Sequence, residues 1–357
     1  MKYIFVIQGE GRGHLTQALA LSTLLREAGH TVDEVLVGRC KNRELPQFFT
    51  SKIAARITQY DSPTFDYGKG SKRGRPLNTL LNNLRPINFS RWVDSSKIIS
   101  TTIEASGADV VVNFYEFLLG ATKMIHKITP PIISIGHQFL IDHPHFQSPY
   151  KRESLLLTMT NRICAFGSKR RLALSFYPMP YSLTHNTEVV PPLLRPEIFS
   201  HKPTDGDFML GYMLNPGYVD EVLEWKSRHP EAKVHLFWDK KGAAECEERV
   251  EGLWLHKIND VEFLRYMASC RGYITTAGFE SVCEALYLGK PALMIPAHVE
   301  QQINAADAQL VGAGDEAERF DLSLLERAIE GYSADTESFR RWVDSAREVF
   351  LKSLTDI

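Results

Sequence analysis

Residues 272 to 296 constrain the fold of this 357-residue chain more than any other stretch. Gly272-Tyr273-Ile274-Thr275 reads as the end of a buried strand, and Thr276-Ala277-Gly278 as a tight turn into a helix that stops at Gly289. Pro291-Ala292-Leu293-Met294-Ile295-Pro296 is a second apolar run, too short for a helix. Strand, helix and strand in that order place the chain among α/β proteins. The turn leaves the first N–H groups of the helix without intrahelical carbonyls, where they suit an anion such as a diphosphate.

The same pattern opens the chain. Residues 2 to 7 read as a buried strand, Gly9-Glu10-Gly11-Arg12-Gly13-His14 as a Gly-rich turn into a helix ending near Gly29, and 31 to 37 as the strand completing a β-α-β unit. Such glycines point first to a Rossmann dinucleotide site. Two features oppose that: the second strand ends Val37-Gly38-Arg39 with no acidic residue after it to take a ribose, and His14 occupies the helix opening.

Further strands are expected at 108–113, 132–135, 161–166, 208–214, 233–238 and 253–256, with helices at 91–105, 116–127, 218–227, 261–269 and 322–329. Gly136-His137-Gln138-Phe139 follows one of these strands, at the carboxyl end where an open α/β sheet faces its ligand. His143 and His145 flank Pro144 and read as surface residues. Val189 to Pro196 holds three prolines and reads as an extended linker, so a first domain of 1–195 and a second of 196–335 are expected. In the terminal segment 336–357, Phe339, Trp342, Val343, Ala346, Val349 and Phe350 fall at helical spacing.

The length agrees with two domains, and 44% hydrophobic with 24% charged residues describes an ordinary globular protein. A net charge of -2 offers no footprint for nucleic acid. The five cysteines form no C-x-x-C pair and no zinc spacing, which suits reduced thiols in the cytoplasm. Tyr3 to Ile7 is too short for a signal-peptide core, and no later run reaches the length of a membrane span. A cytoplasmic protein is expected. Lys69, Lys72, Arg73 and Arg75 form a basic stretch that is either a solvated loop or a contact for an anionic acceptor or the inner face of a membrane.

Gly278, Ser281, Glu284 and the later Glu300-Gln301-Gln302-Ile303-Asn304-Ala305 resemble, in order and spacing, the donor-binding signature of GT-B glycosyltransferases, both the UDP-glycosyltransferases and the MurG type. G-x-G-x-G-H resembles the first loop of the MurG type. The resemblance implies two doubly wound Rossmann-like domains facing across a cleft, acceptor side first and donor side second, with a C-terminal helix crossing back. It assigns the diphosphate to Gly278 and Ser281, with Thr276 standing where the family has a phosphate-binding histidine. It assigns the ribose to Glu284 and the donor sugar to Glu300 and Gln301. Arg195, preceded by prolines, approaches the diphosphate; Gly217 keeps part of a phosphate turn that Pro216 weakens; Ile258 lies in the loop that reads the base through its backbone. Gly11, Gly13 and His137 fall on the acceptor side, and His14 is the candidate base, because an acceptor hydroxyl attacks poorly until its proton is taken.

The implied reaction is inverting transfer of a sugar from a nucleotide diphosphate sugar, a UDP-sugar such as UDP-GlcNAc, to a hydroxyl acceptor, with no cofactor. No D-x-D pair stands among the motifs, so metal-independent chemistry is expected. Glu280, near the expected diphosphate, either turns outward, binds sugar hydroxyls or is offset by a cation such as Arg12 or Arg195, because a carboxylate within ~5 Å of the phosphates is repelled by a few kcal/mol. A nucleotide-sugar 2-epimerase and a catalytically silent nucleotide-sugar binder remain as alternatives.

Overall fold

The structure, a computed structural model, describes residues 1–39, 44–63, 86–150, 153–213, 216–240 and 242–356. The basic stretch from Lys69 to Arg75 and Asn215 lie outside the described residues. The chain forms two compact units, one of the residues up to Arg195 with Trp342–Ile357, the other of Pro196–Arg341.

The first unit runs β1 (Lys2–Ile7), α1 (Arg12–Glu27), β2 (Thr31–Arg39), α2 (Gln47–Lys52), β3 (Arg56–Asp61), α3 (Pro86–Ser106), β4 (Val110–Phe114), α4 (Phe117–Ile125), β5 (Ile132–Ile135), α5 (Glu153–Cys164), β6 (Ser168–Leu174) and β7 (Thr187–Val190). Its strands pair in parallel in the order β3-β2-β1-β4-β5-β6-β7. Residues Tyr3–Ile7 of β1 and all of β4 are buried, as central strands of a sheet covered on both faces must be. One face packs Ile4, Val6, Leu36 and Val111 against Ile99 and Ile103 of α3 and Leu118 of α4.

The second unit runs β8 (Phe208–Met213), α6 (Val219–Arg228), β9 (Lys233–Trp238), β10 (Cys246–Val250), β11 (Leu253–Lys257), α7 (Asp260–Ser269), β12 (Gly272–Thr275), α8 (Phe279–Tyr287), β13 (Ala292–Met294), α9 (Val299–Leu310), β14 (Gly314–Glu316) and α10 (Leu322–Glu330). The order is β10-β11-β9-β8-β12-β13-β14, parallel except for the β10–β11 pair. In each unit the chain winds outward from its first strand, then returns to wind the other way. The reversal falls between β1 and β4 and between β8 and β12, the positions where doubly wound sheets hold ligands at their carboxyl ends.

Several expectations change. Asn161–Phe166 is not a strand: α5 extends to Cys164, and the strand is Ser168–Leu174. Short apolar runs such as Ile163-Cys164-Ala165-Phe166 do not distinguish helix from strand, and the boundary comes from Gly167, whose φ of +70° follows the helix end. Strand β10 went unseen because its exposed, charged residues carry no burial signal, which suits an edge. His143 is buried, not a surface residue; its Nε2 lies 2.9 Å from Pro180 O, and burial lowers its pKa.

The terminal segment forms two helices, α11 (Thr336–Asp344) and α12 (Ala346–Thr355), rather than one. Ser345 between them keeps a near-helical backbone at φ -73°, ψ -9°, so the apolar spacing continues through the break. Among the described residues, no helix is long and apolar enough to cross a membrane.

Candidate functional site

The β12–α8 turn lies beside the reversal point of the second unit. Gly278 is the N-cap of α8, with φ -65° and ψ 128°, and it supplies no capping side chain. Helices α4, α7 and α10 differ: Glu116, Asn259 and Asp321 cap them through side-chain oxygens. Nothing in the backbone demands glycine at 278, and a Cβ there would meet only Ser281 Oγ, at 3.5 Å. What glycine provides here is open space at a helix N-terminus, where peptide dipoles favour negative charge. Ser281 Oγ donates to Gly278 O at 3.1 Å.

Thr276 is buried, and Ala277 takes a left-handed φ of +59°. Glu284, on α8, is 1% exposed, so a ribose can use it only where the bound ligand reaches that inner position. Glu300 and Gln301 open α9 and are partly exposed, and Gln301 Oε1 accepts from Ala297 N at 2.8 Å. Ile258 lies half-buried between β11 and α7. Gly217 is exposed in a single 3-10 turn, Pro216–Tyr218. Arg195 is half-buried at the last position of the first unit.

The reversal point of the first unit repeats the arrangement. Gly11 is the N-cap of α1 at φ -103°, ψ 149°, and a Cβ there would meet nothing within 4 Å. Gly13 and His14 follow in the first turn of α1. His14 is 8% exposed, and its Nδ1 lies 3.4 Å from Gln17 Oε1. An amide oxygen only accepts, so the contact suits a hydrogen on Nδ1, and in the neutral ring of that tautomer the lone pair a base requires sits on Nε2. The imidazole stacks on Tyr115, with ring centroids 6.0 Å apart and an interplanar angle of 23°.

Tyr115 sits past the end of β4 at φ +54°, and its hydroxyl donates to Asn161 Oδ1 at 2.6 Å. Asn161 Nδ2 in turn donates to Gln138 O at 2.8 Å and Asp142 Oδ2 at 3.1 Å. Arg171 completes this buried chain, 3.3 Å from Asp142. His137 begins a 3-10 helix after β5 and is 3% exposed, edge-on to Phe176.

Glu116 follows Tyr115. Ser62 Oγ and Leu118 N donate to its Oε1 at 2.8 and 2.9 Å, yet burial pushes its pKa up to about 7. The sequence reading missed Gln17, Tyr115, Glu116 and Asn161. Applying the carboxyl-end rule to the strand at 108–113 finds the Tyr115-Glu116 pair; nothing local marks Asn161. Among the described residues, no cluster of three or more His, Cys, Asp or Glu is placed to hold a metal.

Residues 1–331 match the model of glycosyl transferase family 1. This chain belongs to that family. An uncharacterized glycosyltransferase of Methanosarcina acetivorans is 27% identical over 351 residues, covering 88% of this chain and 83% of the relative. Among solved structures, the glycosyltransferase of kitacinnamycin superposes with a TM-score of 0.65 at 14% identity, covering 99% and 98% of the two chains. Acinetobacter baumannii MurG gives 0.59 at 14%, covering all of both chains. Arabidopsis thaliana UGT89C1, solved with UDP, gives 0.62 at 15%, covering 97% of this chain and 94% of its own. At these identities the structural likenesses show the fold, and it is the GT-B architecture. This glycosyltransferase thus carries its glycine-capped helix starts, Gly11 and Gly278, at the reversal point of each GT-B sheet.

Proposed function

We propose that this glycosyltransferase moves a sugar from a nucleotide diphosphate sugar, a UDP-sugar such as UDP-GlcNAc, to a hydroxyl acceptor, with inversion and without a metal. The observation that carries this is Gly278: a helix N-cap without a capping side chain, with room above it that the fold does not itself require. UDP is favoured as the nucleotide because UGT89C1 was solved with it. The start of α8, Ser281 and Arg195 stabilise charge growing on the departing diphosphate. Glu284 holds the ribose, Glu300 and Gln301 the sugar, and the backbone at Ile258 the base. His14 Nε2 takes the acceptor proton as attack begins, a role that the Gln17 contact supports because it suits the neutral tautomer with its hydrogen on Nδ1. The setting we propose is the cytoplasm.

Incubation of the pure protein with UDP-sugars separates the readings. UDP release that rises with an added acceptor supports transfer; interconversion of sugars without net UDP release indicates an epimerase; binding alone indicates a silent module. His14→Ala should lower transfer by at least about 10²-fold, the span of a lost general base, with UDP affinity unchanged. Full activity in that variant removes the base role. Activity that persists in EDTA supports the metal-free course, and loss restored by a divalent ion contradicts it.

A further inference from the structure

Asn304 lies on α9, one turn beyond Glu300 and Gln301, and none of the roles above uses it. It is 3% exposed, and its Nδ2 donates to Ala277 O at 2.9 Å. Ala277 is the middle residue of the β12–α8 turn, and its φ of +59° crowds an alanine Cβ against the following carbonyl. Such a conformation persists where surrounding structure holds it. Asn304 Oδ1 is buried and has no hydrogen-bond partner among the described residues, so the contact with Ala277 is what orients this amide.

We propose that Asn304 is a positioning residue for the diphosphate: by holding the Ala277 carbonyl it keeps the turn in the left-handed shape that aims the start of α8 at the ligand. The proposal rests on the donor reading above and deepens it. A carbonyl engaged by an amide also does not turn its lone pairs toward a phosphate. Because Asn304 shares α9 with Glu300 and Gln301, the helix that faces the donor sugar also sets the turn that receives the diphosphate.

The test compares UDP, pyrophosphate and uridine as ligands of the full chain by calorimetry, with thermal midpoints measured alongside. Asn304→Ala should weaken UDP and pyrophosphate by about tenfold and leave uridine within about twofold, since only the phosphates meet the turn. Asn304→Asp sets a carboxylate against the Ala277 carbonyl and should do the same; it also serves if the alanine variant does not fold. Ala277→Gly accepts the left-handed shape without a Cβ, so in that background the Asn304→Ala loss should fall to about threefold.

Equal losses for UDP and uridine, or UDP affinity that does not change, would overturn the proposal. If Gly278→Ala loses UDP while Asn304→Ala does not, the donor site stands and only the positioning role falls. Wild-type protein that binds neither UDP nor pyrophosphate removes both.

Discussion

Gly11 and Gly278 are glycines that their own backbone does not need. Both sit at φ values open to any residue, and neither would press a Cβ on a neighbour closer than 3.5 Å. Gly38 is the contrast, because a Cβ there would lie 2.5 Å from Glu116 Oε2. Gly278→Ala should therefore leave the thermal midpoint within about 2 °C and weaken UDP by at least about tenfold, a methyl standing where a phosphate approaches. An alanine variant that binds UDP normally would show that the space is incidental. Glu116 makes a different kind of demand. Its folded pKa of about 7 lies above the ordinary 4.5, because burial outweighs the donors at its Oε1. The neutral carboxyl is what the fold prefers, so its contribution to stability is complete below pH 4.5 and is lost as pH rises toward 7. Glu116→Gln should stabilise the protein at pH 8 by about 3 kcal/mol and not at pH 4, read by urea unfolding at each pH.

At the scale of elements, the loop after β4 is held from behind. Tyr115 carries the ring on which His14 rests, and α5 reaches it through Asn161, Asp142 and Arg171. Burial lowers the Arg171 pKa and the Asp142 charge opposes that, so the pair is costly to break from one side. Asp142→Asn should destabilise the first unit by about 3 kcal/mol in chemical unfolding. Tyr115→Phe removes one hydroxyl and keeps the ring, and it should lower kcat with little change in donor KM. Strands β9 and β11 hold a second pair, His235 Nδ1 lying 2.9 Å from His256 Nε2 with Trp254 stacked on His235. Burial, then the neighbouring His256, lowers the His235 pKa to about 4. The neutral ring favours the folded state, so its stability is present above pH 6.5 and lost as pH falls toward 4. Unfolding at pH 5 against pH 7 should show His235→Asn sparing about 1 kcal/mol of the acid loss, the figure reduced because solvent screens part of the ring.

At the scale of the molecule, the end of the chain belongs with its beginning. Trp342 Nε1 donates to Ser175 O at 3.0 Å, Tyr3 Oη to Leu354 O at 3.2 Å, and Arg170 to Ser353 O at 3.0 Å. Phe350 and Leu354 are fully buried within this first unit. Phe350→Ala should cost about 4 kcal/mol, with the cavity adding to the lost transfer energy. If unfolding data place that loss outside the first unit, α12 is not part of its core. The first part of α11 belongs to the second unit, where Arg340 Nε donates to Tyr287 O at 2.8 Å.

Alternation of buried strands, glycine turns and helices was legible in the linear order of residues, because parallel sheets demand continuous apolar strands and each crossover needs a helix of its own. The glycosyltransferase family and the two glycine-capped helix starts were legible for the same reason: they are local patterns at fixed spacing. Strand β10 and the end of α5 were not, since an exposed edge has no apolar pattern and Ile163 to Phe166 suits either element. Tyr115 beneath His14, Asn161 behind Tyr115 and Asn304 against Ala277 were decided by the tertiary structure alone. Their partners lie 101, 46 and 27 positions away in the chain, and only winding of the sheets brings such residues within hydrogen-bond or stacking distance.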